Sequence, residues 1–135
     1  MPARIVETTL RVRYSETDQM GVAYHANYLP WFEVGRTEWC RTTGFTYRDM
    51  EHEEGIMLMV ADVHCRYKAP ARYDDIVIIR TRVKEFRKRV IIFAYEILRQ
   101  ASGELLATGE TTHTITDSGG RIRTLPEKYF RYFQE

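Results

Sequence analysis

Asp18, His25 and Asn27 flank Gly21 at the point where a strand-like segment ending near Thr17 gives way to an apolar helical pattern. A carboxylate beside a helix N-terminus can attack an activated acyl carbon or take a proton from water. The helix end offers unpaired backbone N–H groups and positive potential to the oxyanion that results. Read by itself, Asp18 is also an ordinary turn residue, since Asp near Gly is common in loops. His25 is either a partner of the carboxylate, polarising a carbonyl or orienting water, or a loop imidazole that packs or caps. Asn27 is the expected N-cap of the helix, with a contact to substrate or water as a second use. Tyr24 and Tyr28 are expected to wall the pocket rather than do chemistry.

These residues need elements to hold them. Ile5 to Tyr14, rich in Thr, Val and Arg, predicts a first strand. A helix is expected from about Asn27 to Thr43, with Pro30 in its first turn and Gly44 as its stop. Leu29, Phe32, Arg36 and Trp39 recur at helical spacing, with Cys40 beside Trp39. Gly35 in mid-helix costs about 1 kcal/mol relative to alanine and predicts a close backbone approach, here to a sheet. The polar stretch from Phe45 to Gly55 holds a short helix around Tyr47 to Glu53. Four strands follow, the first alternating at Ala61, Val63, Cys65 and Tyr67 to give one buried and one wet face. The others are Ile76 to Phe86, Arg89 to Gln100 and Leu105 to Thr116, with turns at Arg87-Lys88 and Ser102-Gly103. Short turns demand antiparallel neighbours. The pattern is α+β: a curved five-stranded antiparallel sheet wrapping one long central helix, in a single domain over 1–135. The segment from Lys128 to Phe133 is expected to dock on the sheet as a short helix.

A net charge of +1 rules out the global basic field of a nucleic-acid binder, so any anion site must be local. Arg87-Lys88-Arg89 is the local cluster: a solvated hairpin turn, or a docking point for phosphate groups. Residues 1–14 contain no apolar signal-peptide core, and no apolar run is long enough to span a bilayer. Cys40 and Cys65 lie far apart without metal-ligand spacing and are read as reduced thiols, which places the protein in the cytoplasm. No His/Cys/Asp cluster predicts a metal. His64 and His113 read as surface or interface residues, and Gly119-Gly120 as a turn.

The run Tyr14-x-x-Thr17-Asp18-x-x-Gly21-Val22-x-Tyr24-His25-x-x-Tyr28 continues into Glu33-x-x-Arg36, Tyr67-Lys68-Ala69-Pro70-Ala71 and Asp75. It resembles the hotdog-fold acyl-CoA thioesterases, in the branch of 4-hydroxybenzoyl-CoA thioesterase and the Tol-Pal-associated enzymes. The resemblance implies that Asp18 is the catalytic carboxylate, as nucleophile or general base, with His25 as its partner. It implies an oxyanion contact from backbone N–H groups of Tyr24 and His25, within the segment ending at Ala26. Asn27, Tyr28 and Met59 would touch the substrate, with Trp31 and Met57 near the pocket. Arg87, Lys88 and Arg89 would hold the nucleotide of coenzyme A. Glu16 stands where many relatives have aspartate. The implied reaction converts a short-chain or aromatic acyl-CoA to free acid and CoA, without metal or other cofactor. The implied assembly is a homo-oligomer, a dimer or a dimer of dimers (a homotetramer), with sites at the dimer interface. The alternative is a non-catalytic acyl-CoA-binding or regulatory hotdog module. Nothing around the four histidines matches the motif of the hydroxyacyl dehydratases.

Overall fold

The computed structural model describes residues 4–134. The chain runs through β1 (Val6–Arg11), α1 (Tyr28–Thr43), α2 (Tyr47–Glu54), β2 (Met57–Tyr67), β3 (Ile76–Arg87), β4 (Val90–Arg99), β5 (Leu105–Thr116) and α3 (Phe130–Phe133). The strands form one antiparallel sheet in the order β1-β3-β4-β5-β2. β3, β4 and β5 are successive hairpins, and β1 and β2, separated by the helices, take the two edges. β1 stops at Arg11, short of the expected Tyr14, because the chain there coils into a 3₁₀ turn, Tyr14–Glu16.

Residues Trp31, Phe32, Gly35, Trp39 and Cys40 form the buried stripe of α1, the i, i+4, i+8 spacing of one helix face. Phe32 stacks on Tyr95 at 4.4 Å between ring centroids, and Trp39 meets Phe93 edge-on at 5.6 Å. Gly35 is where the helix rests on β3. A Cβ there would lie 2.4 Å from Thr81 Oγ1 and 2.7 Å from Ile79 Cγ2. The helix-propensity cost of glycine is offset by this approach, which no larger residue permits. Enclosure is incomplete: Leu29 and Val34 remain exposed on the face of α1 away from the sheet. The C-terminal aromatics dock as expected, with Phe133 stacked on Trp39 and Phe86.

Two expectations are corrected. β2 does not alternate, and residues 59–64 are all exposed. It is an edge strand that α1 does not cover, and the register shift between Val60 and Asp62 reverses its faces midway. His113 is not on the surface. It is fully buried in a polar layer between sheet and helix, its Nε2 2.8 Å from Thr111 Oγ1 and its Nδ1 3.3 Å from the Leu58 carbonyl. Thr111 Oγ1 in turn lies 2.6 Å from Tyr95 Oη, to which Arg36 donates at 3.5 Å. Sequence alternation could not show this, because Thr111, His113 and Ile115 lie on the face that closes over the helix.

Burial, and next the Arg36 guanidinium, push His113 down to about 4 from an ordinary 6.5. The unfolded chain therefore binds a proton that the folded protein refuses between these values. Stability is fully present above pH 6.5 and is lost as pH falls toward 4, a change on the order of 3 kcal/mol for a shift of this size. His113→Gln keeps a hydrogen-bonding side chain without the titration. Urea denaturation of the two proteins should show a slope between pH 6.5 and 5 in the wild type that the variant lacks. An identical slope would contradict the assignment.

Candidate active site

The entrance to α1 is built around Glu16. Its carboxylate is buried and accepts from the Arg13 N–H at 2.7 Å and from Trp31 Nε1 at 2.9 Å. The Glu16 carbonyl accepts from the Asn27 side-chain amide at 2.7 Å and from the Tyr24 N–H at 2.8 Å. One residue thus ties the 3₁₀ turn after β1 to the first turn of the helix. The sequence assigns Glu16 no role of its own. Only the Glu16 half of a capping box forms, the carboxylate accepting from the N–H three residues back, and Arg13, which has no side-chain acceptor, gives no such signature in the sequence.

Between these ties lies a narrow hairpin. Thr17 bridges Ala23, the Asp18 N–H donates to the Val22 carbonyl at 2.9 Å, and the Gly21 N–H returns to the Asp18 carbonyl at 3.0 Å. Gly21 sits at φ +77°, a left-handed position that favours glycine. Asp18 Oδ1 accepts from the Met20 N–H at 2.8 Å, so half of the carboxylate does serve the turn. Among the described residues Oδ2 forms no hydrogen bond and is open to chemistry. The hairpin is braced from behind by the segment after β2: Ala23 N–H donates to the Ala71 carbonyl at 2.8 Å, and Val22 bridges Arg72. Arg99 holds that segment through Asp75, at 3.1 Å, and through the Pro70 carbonyl.

Asp18, Val22, His25, Tyr28, Tyr67 and Pro70 line an open depression of about 340 Å³. The Tyr28 hydroxyl is buried and accepts from the Ala71 N–H at 3.2 Å; burial pushes its pKa up, keeping it neutral. A second depression of about 280 Å³, on the sheet, includes the charged residues Arg80, Arg82, Glu96 and Glu110 in its lining. Arg80, Glu96 and Glu110 pair with one another or with Glu7 and Lys84.

The structure corrects two roles at the helix entrance. Asn27 is not an N-cap: its backbone is already helical, no side-chain cap bond forms, and its amide is spent on Glu16. A 3₁₀ turn, His25–Asn27, precedes the helix and displaces the cap. The Tyr24 N–H, expected as an oxyanion donor, is committed to the Glu16 carbonyl. Among the described residues the open amides of this turn are those of His25 and Ala26. The His25 ring is exposed and lies 4.4 Å from that of Tyr24 between centroids.

Met59 and the basic cluster do not reach Asp18 within one chain. Met59 lies eight residues before Tyr67 along β2, about 26 Å of extended strand, and is half-exposed. Arg87, Lys88 and Arg89 form the tip of the β3–β4 hairpin, about 36 Å along β3 from the Asp75 end that borders the site. Arg87 there pairs with Glu85 at 3.0 Å.

A long helix lies on an antiparallel sheet, and Asp18 and His25 line one depression at the helix entrance. Residues 12–132 match the thioesterase-like superfamily, and the chain belongs to that family. YneP of Bacillus subtilis (strain 168), provisionally named an acyl-CoA thioesterase, is 40% identical over 108 residues, spanning 80% of this chain and 77% of YneP. The acyl-CoA thioester hydrolase YbgC of Escherichia coli O6:H1 is 32% identical over 127 residues, 93% of each chain. The crystal structure of DHNA-CoA thioesterase from Staphylococcus aureus superposes with a TM-score of 0.87 at 36% identity, over 94% of this chain and 84% of that one. The fold is the hotdog fold that the resemblance implied. Among the described residues no helix is long and apolar enough to cross a membrane.

Proposed function

We propose that the protein is an acyl-CoA thioesterase that hydrolyses a short-chain or aromatic acyl-CoA to the free acid and CoA at the entrance to α1. The observation that carries this is the free Oδ2 of Asp18 in one depression with the His25 turn, whose amides at His25 and Ala26 are open. The acyl-CoA thioesterase names of YneP and YbgC support it.

In the reaction, the thioester carbonyl takes up the open amides, and the positive end of α1 favours the negative charge that develops on its oxygen. Asp18 acts in one of two ways. As a general base it takes a proton from water as the water oxygen bonds to the acyl carbon; the tetrahedral intermediate then expels the CoA thiolate, which picks up the proton. As a nucleophile it forms a mixed anhydride with release of the thiolate, and water then cleaves the anhydride. His25 orients water or the carbonyl at the rim. Tyr28 walls the acyl group, and Asn27 serves through the backbone it holds. Neither route calls on a metal or other cofactor.

The site is completed by a second copy of the chain. β2 is an edge strand with unpaired backbone groups and exposed Met59, Val60, Val63 and Tyr67, the kind of edge that pairs or aggregates unless covered. Antiparallel pairing of β2 with its two-fold copy sets the start of one strand against the end of the other. That brings Met59 and Arg87 to Arg89 of the second copy toward Asp18, resolving their separation within one chain. The dimer, or its doubling into a homotetramer, then carries two sites per dimer. The unbridged Cys40 and Cys65 suit a reducing cytoplasm.

Asp18→Asn should cut kcat for a good acyl-CoA by about 10²–10⁴, with an unchanged melting temperature. Wild-type kcat in the purified variant would overturn the reading. Replacing Arg87 and Arg89 together with alanine should raise KM for acyl-CoA while sparing short acyl thioesters that lack the nucleotide. Equal effects on both substrates would remove the cluster from the CoA site.

A further inference from the structure

Tyr67 closes β2, and its hydroxyl donates to the His25 carbonyl at 2.7 Å. Its ring stands edge-on to the buried Tyr28 at 5.0 Å between centroids and to His25 at 6.3 Å. A tyrosine hydroxyl is protonated at working pH, and partial desolvation, then Cys65, push that of the half-exposed Tyr67 further up, so it remains a donor. Among the described residues it is the side chain that ties the His25 carbonyl to the sheet; the other hydrogen bonds of the turn run within it or back to Glu16.

The His25 carbonyl belongs to the same peptide unit as the Ala26 N–H. The unit is planar and trans, with no cis bond in the described chain, so its C=O and N–H point in opposite directions. Fixing the carbonyl fixes where the Ala26 N–H aims. Donation to the carbonyl oxygen also draws electron density through the amide and makes its N–H a stronger donor, the polarisation that links hydrogen bonds in series.

We propose that Tyr67 is a positioning residue of the reaction, orienting and polarising the 25–26 peptide so that the Ala26 N–H meets the developing oxyanion. This rests on the reading of the α1 entrance as the oxyanion site. It also gives β2 a second use, since the strand that offers the pairing edge ends on the residue that sets the donor.

Tyr67→Phe removes the hydroxyl and keeps the ring against Tyr28. We expect kcat for benzoyl-CoA to fall about 5- to 30-fold, less than the roughly 10²–10³ that loss of a whole oxyanion donor costs. KM, melting temperature and oligomeric state should stay as in the wild type. A second readout separates polarisation from propping. Isotope-edited infrared spectra of benzoyl-CoA bound to Asp18→Asn should show the thioester carbonyl stretch displaced to lower frequency. Adding Tyr67→Phe should move it back toward the free value. Wild-type kcat in Tyr67→Phe, or an unmoved carbonyl stretch, while Asp18→Asn is inactive, overturns the role of Tyr67 alone. A lowered melting temperature with kcat intact does the same, since the hydroxyl would then only brace the fold. Full activity in Asp18→Asn overturns the underlying reading and this inference with it.

Discussion

Everything at the mouth of this molecule depends on one buried carboxylate being satisfied. Glu16 is removed from water, and an unpaired charge there would be costly. It is held by the Arg13 N–H, by the Trp31 indole and by the Arg13 guanidinium at 3.5 Å. With the side chain pinned, its carbonyl is placed to receive Tyr24 and Asn27. Loss of any one of these partners would leave a donor or acceptor unpaired in a half-buried seam, at about 1–3 kcal/mol each. The helix can therefore begin in only one position relative to the Asp18 hairpin. The choice of which amides stay open follows: Tyr24 is consumed, and His25 and Ala26 are left.

That local order sits on a global one. Gly35 lets α1 descend onto Thr81 and Ile79, and the aromatic pairs Phe32–Tyr95 and Trp39–Phe93 fix its height and direction. The helix axis then delivers its positive end to the hairpin, while Arg99 and Asp75 hold the opposite wall from the far end of β4. The polar layer of Arg36, Tyr95, Thr111 and His113 completes its hydrogen bonds inside the core and takes no part in the entrance. The two polar systems are separate, one inside the core and the other at the entrance where the reaction is proposed to take place.

Much of this was legible in the residues alone. β5 runs over Leu105–Thr116 as expected from the turn at Ser102-Gly103 that precedes it, and the hairpins of β3, β4 and β5 follow from short polar turns. Gly35 announced a close contact before its partners were known. What stayed hidden shares a physical cause. The exposure of β2 depends on which strand is an edge, a property of the sheet order rather than of local pattern. The burial of His113 depends on which face closes over α1. The true duties of Asn27, Tyr24, Glu16 and Tyr67 depend on hydrogen bonds between segments 8 to 42 residues apart. Local spacing drew attention to Asp18 and His25, which the fold brings into one depression, but not to the contacts that hold them.

The central claim is that a thioester carbonyl lodges against the open amides of the α1 entrance with Asp18 beside it. A crystal structure of Asp18→Asn soaked with an acyl-CoA tests this directly, because the variant should bind the substrate without consuming it. The account predicts the carbonyl oxygen roughly 3 Å from the His25 or Ala26 N–H, with the residue at position 18 adjacent to the carbonyl carbon. A thioester bound with its carbonyl turned away from that turn, or seated elsewhere on the sheet, would contradict it.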